Sequence, residues 1–200
     1  MARALLPFAF GVLLILGCTG TAPHSGIEVP QDATTPEYGQ PPPSAANLSI
    51  PPLQGENALF WYFAYGSNLD TSGMRSRVGS WPEARPAILH GYARTFSGAA
   101  DIRPNVTSNV PGAIYLLNES QMQKLDRYEG APRVYRRINV SVESGNRTLP
   151  AVAYQYSAPR PFRSPSQAYF DTIKNGLLAY GYGDIEIQSL YREANHSSGN

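Results

Sequence analysis

Glu129 and the loop Tyr65-Gly66-Ser67-Asn68 are the residues in this chain whose types and positions suit chemistry. The loop follows the aromatic run Tyr62-Phe63-Ala64 and breaks at a glycine, which allows close backbone approach by a ligand. Ser67 and Asn68 add short hydrogen-bonding groups that suit a turn. Such a loop can turn its backbone N–H groups toward an anion or a carbonyl oxygen. The same residues also describe an ordinary strand and turn. Glu129 closes a helical segment that Gly130 ends. A carboxylate there lies at the negative end of the helix dipole, and Asp126, three residues earlier, adds like charge. Both effects raise its pKa toward the range of a general base or acid. The plainer alternatives are that Glu129 faces water or pairs with Arg127 or Arg133.

Other chemistries find little support. His24 and His196 lie near the two ends of the chain and His90 stands alone, so no metal-ligand spacing arises and none is expected. Ser67 lacks a histidine partner and is a poor nucleophile. The sequence contains no GxSxG, GxxxxGK[ST] or GxGxxG pattern, and no cofactor is expected. Residues 58–200 hold 15 of the chain's 16 Lys/Arg and 11 of its 15 Asp/Glu, a balance of +4. That balance is mild and the arginines are scattered, which argues against a nucleic-acid partner.

The elements that position these residues read as α+β. Leu59 to Ala64 is a buried strand by its aromatic run. Ala87–Phe96 and Gly112–Leu117 are further strands. Asn118 caps a helix with Gln121 at the reciprocal position of a capping box. Met122, Leu125 and Tyr128 form its apolar stripe and Gly130 its end. Val134, Ile138, Val140 and Val142 alternate on one face of a strand, with Arg136 the exception. Gly145-Asn146 makes a hairpin turn into Thr148–Tyr156. Ser166–Tyr180 is helical, with Tyr169, Ile173, Leu177 and Tyr180 on one face, and Ile185–Ala194 is a second short helix. The expectation is a small mixed, barrel-like sheet flanked by a few helices.

The ends carry a different message. Arg3 followed by the apolar run Leu5–Leu16 reads as an export signal over residues 1–18. Cys18, the chain's only cysteine, sits where a bacterial lipoprotein signal places its lipidated residue. A lipid there would hold the protein at a membrane surface without spanning it, giving an extracytoplasmic location. Residues 19–57, rich in Pro, Ser, Thr and Gly and without apolar periodicity, read as a disordered tether. The single domain is then 58–195, with a tail at 196–200. Six Asn-x-Ser/Thr sequons occur, at Asn47, Asn105, Asn118, Asn139, Asn146 and Asn195.

Taken in order, Tyr62 to Leu69, Leu125-Asp126-x-x-Glu129-Gly130, Tyr135 and Pro165-Ser166-x-x-Tyr169 resemble the γ-glutamylcyclotransferase family over about 58–182. The resemblance implies an α+β barrel-like fold and a lyase- or acyltransferase-type enzyme. Its reaction would convert a γ-glutamyl amino acid or amine into 5-oxoproline and the free amine, without a cofactor. By the same resemblance Glu129 is the general base and acid, Tyr62, Phe63, Ala64, Tyr65, Gly66, Ser67 and Asn68 hold the γ-glutamyl group, and Tyr135 and Tyr169 help to bind it. Ser67-Asn68 favours the branch acting on γ-glutamyl amino acids, since the γ-glutamylamine branch tends toward Tyr-Gly-Thr-Leu. Asp171–Asn175 and Leu177–Tyr180 depart from the family's usual sequence. Two other readings stay open: a γ-glutamylamine cyclotransferase acting on γ-glutamyl-lysine-type substrates, and an exported, non-catalytic module that binds in the same pocket.

Overall fold

The computed structural model describes residues 58–195. The apolar N-terminal run, Cys18, the proline-rich stretch to residue 57 and the tail after Asn195 lie outside the described residues.

Five strands close into a barrel in the spatial order β1-β3-β2-β4-β5. They are β1 (Leu59–Ala64), β2 (Ala84–Ser97), β3 (Ala99–Asn118), β4 (Tyr135–Ser144) and β5 (Arg147–Tyr156). β1 pairs antiparallel with β3, from Leu59 opposite Asn118 to Ala64 opposite Ala113. On its other side it runs parallel to β5 through Trp61 and Tyr62. That parallel pair closes the barrel, and it buries Tyr62, Phe63 and Ala64 in succession. A strand covered on both faces reads as a continuous apolar run rather than an alternation.

β2 and β3 are longer than the sequence pattern suggests. They form one extended antiparallel ribbon, with a register shift between His90 and Tyr92. Residues 104–107 of β3 are exposed on both faces. Residues 105–108 have no partner on β2 across that register shift, so this stretch carries no alternation and Pro104 is tolerated beside it. In β4, Val140 and Val142 are buried as expected, whereas Val134 precedes the strand and Arg136 is exposed. Tyr135, on the opposite face, is buried instead.

Four helices flank the barrel: α1 (Thr71–Val78), α2 (Glu119–Glu129), α3 (Gln167–Ala179) and α4 (Asp184–Asn195). α1 is the element that the sequence pattern does not reveal. Asp70 caps it by accepting from the Ser72 and Gly73 N–H groups at 3.2 and 2.9 Å. Only Met74 and Val78, one turn apart, bury against the core. α2 forms as expected: the Asn118 side chain accepts from Gln121 N–H at 2.9 Å and the Gln121 side chain accepts from Asn118 N–H at 3.0 Å. Met122 and Leu125 are fully buried, whereas Tyr128 is exposed and lies under Arg77 rather than in the core, and Gly130 in the left-handed region ends the helix directly after Glu129. α3 is capped by Ser166, buries Phe170, Ile173 and Leu177, and lays Gly176 against Leu69. Burying each such side chain is worth about 1.5–3 kcal/mol.

Candidate active site

The end of β1, the loop after it, the start of β3, the end of α2, β4, β5 and the start of α3 converge on one small cavity. Its walls are Tyr62, Tyr65, Gly66, Ser67, Asn68, Ala100, Glu129, Tyr135, Tyr154 and Tyr169, and its free volume is about 30 Å³. Of the residues singled out from the sequence, Phe63 and Ala64 are not on that wall. Phe63 lies on the opposite face of β1 from Tyr62, as strand alternation requires, with its ring beside that of Tyr65. Ala64 is buried in the core.

Asn68 is the hub. It is 3% exposed, and its amide donates to the Tyr62 hydroxyl at 2.6 Å and to Glu129 Oε1 at 2.9 Å. Its Oδ1 accepts from Arg77 Nη1 at 2.6 Å. Arg77 itself is held over the Tyr128 ring at 4.0 Å and donates to the Tyr128 hydroxyl. A cation on α1 thus orients an amide that orients the carboxylate.

Glu129 is half-buried, and burial pushes its pKa above the ordinary glutamate range. The Asn68 hydrogen bond and the Arg77 charge act the other way and limit that rise. The rise expected from the sequence is present, but its cause is different. Asp126 is bound by Arg137 at 2.6 Å and by the Tyr154 hydroxyl at 2.7 Å, with Glu119 completing the cluster around Arg137. Its charge is therefore taken up away from Glu129. Neither Arg127 nor Arg133 pairs with Glu129; its partner is an amide.

The opposite wall is made of phenols. Tyr135 donates to the Ala100 carbonyl at 2.8 Å. The Tyr169 oxygen accepts from the Ala100 N–H at 3.1 Å, and the Ser67 N–H also approaches that oxygen and favours its ionised form. Burial is the largest cause that holds the pKa values of Tyr62, Tyr135 and Tyr169 above the usual tyrosine value. All three stay protonated; Tyr135 gives its hydrogen to the Ala100 carbonyl, and Tyr62 and Tyr169 are the phenols that can donate to a ligand. Gly66 lets the phenol sit close to the loop: a Cβ there would lie 3.1 Å from the Tyr169 oxygen, which would have to give by a few tenths of an ångström.

Three residues of this arrangement escape the sequence reading. Ala100 contributes only backbone, which no residue type announces. Tyr154 is one of several strand aromatics. Arg77 could have been found: Asp70 as a cap, with Met74 and Val78 four apart, spells a short helix that returns Arg77 to the loop.

Set together, these groups form a proton acceptor of raised basicity facing backbone N–H groups and neutral phenols, the requirements for proton transfer coupled to a developing oxyanion. A family model described as "Gamma-glutamyl cyclotransferase, AIG2-like" matches residues 62–172. Among solved structures, one described as "Gamma-glutamyl cyclotransferase" is similar at 25% identity and TM-score 0.59, covering 71% of this chain and 92% of that one. An uncharacterized protein from Homo sapiens is similar at 26% identity and TM-score 0.59, again covering 71% of this chain and 92% of that one. YkqA from Bacillus subtilis is similar at 25% identity and TM-score 0.60, covering 68% of this chain and 54% of YkqA, so this chain spans about half of that protein's length. No curated protein matches the chain by sequence.

Proposed function

Because this chain belongs to the gamma-glutamyl cyclotransferase, AIG2-like family, we propose that it cyclises the γ-glutamyl group of a γ-glutamyl amino acid to 5-oxoproline and releases the amine. The observation that carries this reading is Glu129 held by Asn68 at 2.9 Å on the wall of a cavity shared with Gly66, Ser67, Tyr135 and Tyr169.

The α-ammonium of the γ-glutamyl group must lose a proton before its nitrogen can attack the γ-carbonyl. Its pKa in solution is about 8, so a carboxylate whose own basicity has been raised by burial is an adequate acceptor. Attack forms the new N–C bond of the lactam and places charge on the carbonyl oxygen. The N–H groups of Ser67 and Ala100 are positioned to receive that charge, where the Tyr169 oxygen now stands. Collapse breaks the bond to the leaving nitrogen; Glu129 gives its proton to that nitrogen and takes the surplus proton of the lactam nitrogen, which then passes to the released amine or to solvent. Nucleophile and electrophile belong to one molecule, so the enzyme's task is to fold the glutamyl chain into its reactive conformer, an effect worth several kcal/mol.

A γ-glutamyl group is larger than 30 Å³, so its binding requires side chains to move. Tyr169 is the natural one, since it stands on the donors that the substrate oxygen needs. We further propose that residues 1–18 direct export and that Cys18 carries a lipid anchor. The supporting observations are the apolar run, the single cysteine at its end and the proline-rich stretch that follows.

The activity is tested by offering the purified protein γ-glutamyl-alanine, γ-glutamyl-ε-lysine and glutathione separately and measuring 5-oxoproline. Product from γ-glutamyl-alanine is expected. Product from γ-glutamyl-ε-lysine alone would move the protein to the γ-glutamylamine reading, and no product from any of the three would make the site a binding pocket.

A further inference from the structure

Ala100 lends the cavity a backbone donor, and the stretch of β3 around it is an edge. Here β3 pairs with β2, Phe96 opposite Ala100 and Thr95 opposite Asp101. On its other side β1 covers β3 only from residue 113 to 118, and among the described residues no strand pairs with the outer side of residues 99–102. Backbone groups on such an edge must find other partners, and side chains supply them. The Tyr135 hydroxyl donates to the Ala100 carbonyl at 2.8 Å and the Gln155 amide to the Ile102 carbonyl at 2.8 Å, while the Ala100 N–H donates to the Tyr169 oxygen at 3.1 Å.

The end of β5 faces this edge, and one bond crosses from it to the Asp101 side chain. The Tyr156 N–H donates to Asp101 Oδ1 at 2.8 Å. Asp101 is 2% exposed, and its Oδ2 is bound by Arg103 Nε at 2.7 Å. A buried carboxylate is unfavourable without such partners; with them it is fixed by both oxygens. Tyr156 is paired with Tyr135 across β5 and β4, and their rings stack with centroids 4.3 Å apart and planes at 23°. The contacts close a circuit. Ala100 is joined to Asp101 along the chain, Asp101 to Tyr156, Tyr156 to Tyr135, and Tyr135 back to the Ala100 carbonyl. A residue held by its carbonyl and by the next side chain has little freedom to turn its N–H.

The other carboxylates bound to arginines beside the barrel act elsewhere. Glu193 receives Arg94 and ties β2 to α4, and neither residue is on the cavity wall. Asp126 receives Arg137 and the Tyr154 hydroxyl, so it orients a cavity side chain and not a backbone donor. Asp101 is the carboxylate next in sequence to the Ala100 donor.

Resting on the cyclotransferase reading above, we infer that Asp101 is a positioning residue for the reaction: it holds Tyr156 and, through the stacked Tyr135, keeps the Ala100 N–H aimed at the oxygen on which charge develops. Asp101 is not on the cavity wall and acts through these neighbours.

The test measures kcat and KM for γ-glutamyl-alanine, per folded protein, in the parent and in variants at this position. Asp101→Ala removes the acceptor. Its kcat should fall about 10–100-fold with KM little changed, because the misplaced donor serves charge that exists only in the transition state. Asp101→Val removes the acceptor too, but it fills the space and suits a strand; it carries the same expectation if Asp101→Ala does not fold. Asp101→Asn keeps an acceptor for the Tyr156 N–H and loses the ion pair with Arg103. Its kcat should return to within about threefold of the parent, even where denaturant unfolding shows a less stable protein. A residue that served stability alone would lower the unfolding midpoint in all three and leave kcat per folded protein unchanged. Parent kcat in the folded Ala or Val variant, or an Asp101→Asn as impaired in kcat as these, would overturn the positioning role while leaving the cyclotransferase standing. No 5-oxoproline from the parent would overturn both.

Discussion

Glu129 and Asn68 work as a pair, and the pair has a measurable signature. Burial raises the Glu129 pKa, while Arg77, acting through space and through Asn68, lowers it. A general base must be ionised, so kcat/KM should rise with pH through an acid limb lying above the usual glutamate range. Replacing Arg77 with Met removes the lowering charge, and the limb should move to still higher pH. A limb that stays put in Arg77→Met would mean that the titrating group is not Glu129. The linkage has a definite sign for stability. The folded protein binds the Glu129 proton more tightly than the unfolded chain, so this group's contribution falls as pH rises from the unfolded to the folded pKa. Glu129→Gln should therefore be more stable than the parent at neutral pH and lose that advantage in acid, as denaturant titrations at the two pH values would show.

At the scale of elements, the site depends on how closely α3 lies on the loop after β1. A Cβ on Gly176 would stand 2.5 Å from the Leu69 Cβ and 2.9 Å from its carbonyl carbon. Gly176→Ala should cost about 1–3 kcal/mol and, by lifting Tyr169 from the Ala100 N–H, free that donor for the substrate and lower KM. Unchanged stability and KM would show that α3 does not hold Tyr169 in place. The elements differ in how far residue pattern reveals them. α2 is readable to its last residue, because Asn118, Gln121 and Gly130 are local signals that satisfy its own ends. β1 is readable because two covered faces require an unbroken apolar run. The 104–107 stretch of β3 is not, because both its faces meet solvent, and α1 is not, because Gly73 and two serines weaken its propensity while only two side chains reach the core. The site follows the same division. Side-chain chemistry at Glu129, Asn68, Tyr135 and Tyr169 is visible in the sequence, whereas the backbone donor of Ala100 and the remote cation Arg77 depend on topology. The pKa rise of Glu129 is foreseeable in direction but not in cause, since burial is a property of the fold.

For the whole molecule, every cavity residue lies between Tyr62 and Tyr169. Catalysis and placement are then separable. A chain of residues 58–200 should turn over γ-glutamyl-alanine at the rate of the longer protein. The proposed anchor is tested independently by fractionation: Cys18→Ser should move the protein from the membrane pellet to the soluble exported fraction, and retention in the pellet would contradict an anchor at that residue. The central claim is the role of Glu129, and one measurement tests it most directly. Glu129→Gln preserves the shape and the contact with Asn68 but cannot take a proton. Single-substrate assays of 5-oxoproline from γ-glutamyl-alanine should show a loss of about 10²–10⁴-fold in kcat in a variant that remains folded. Turnover at the parent rate would contradict the account.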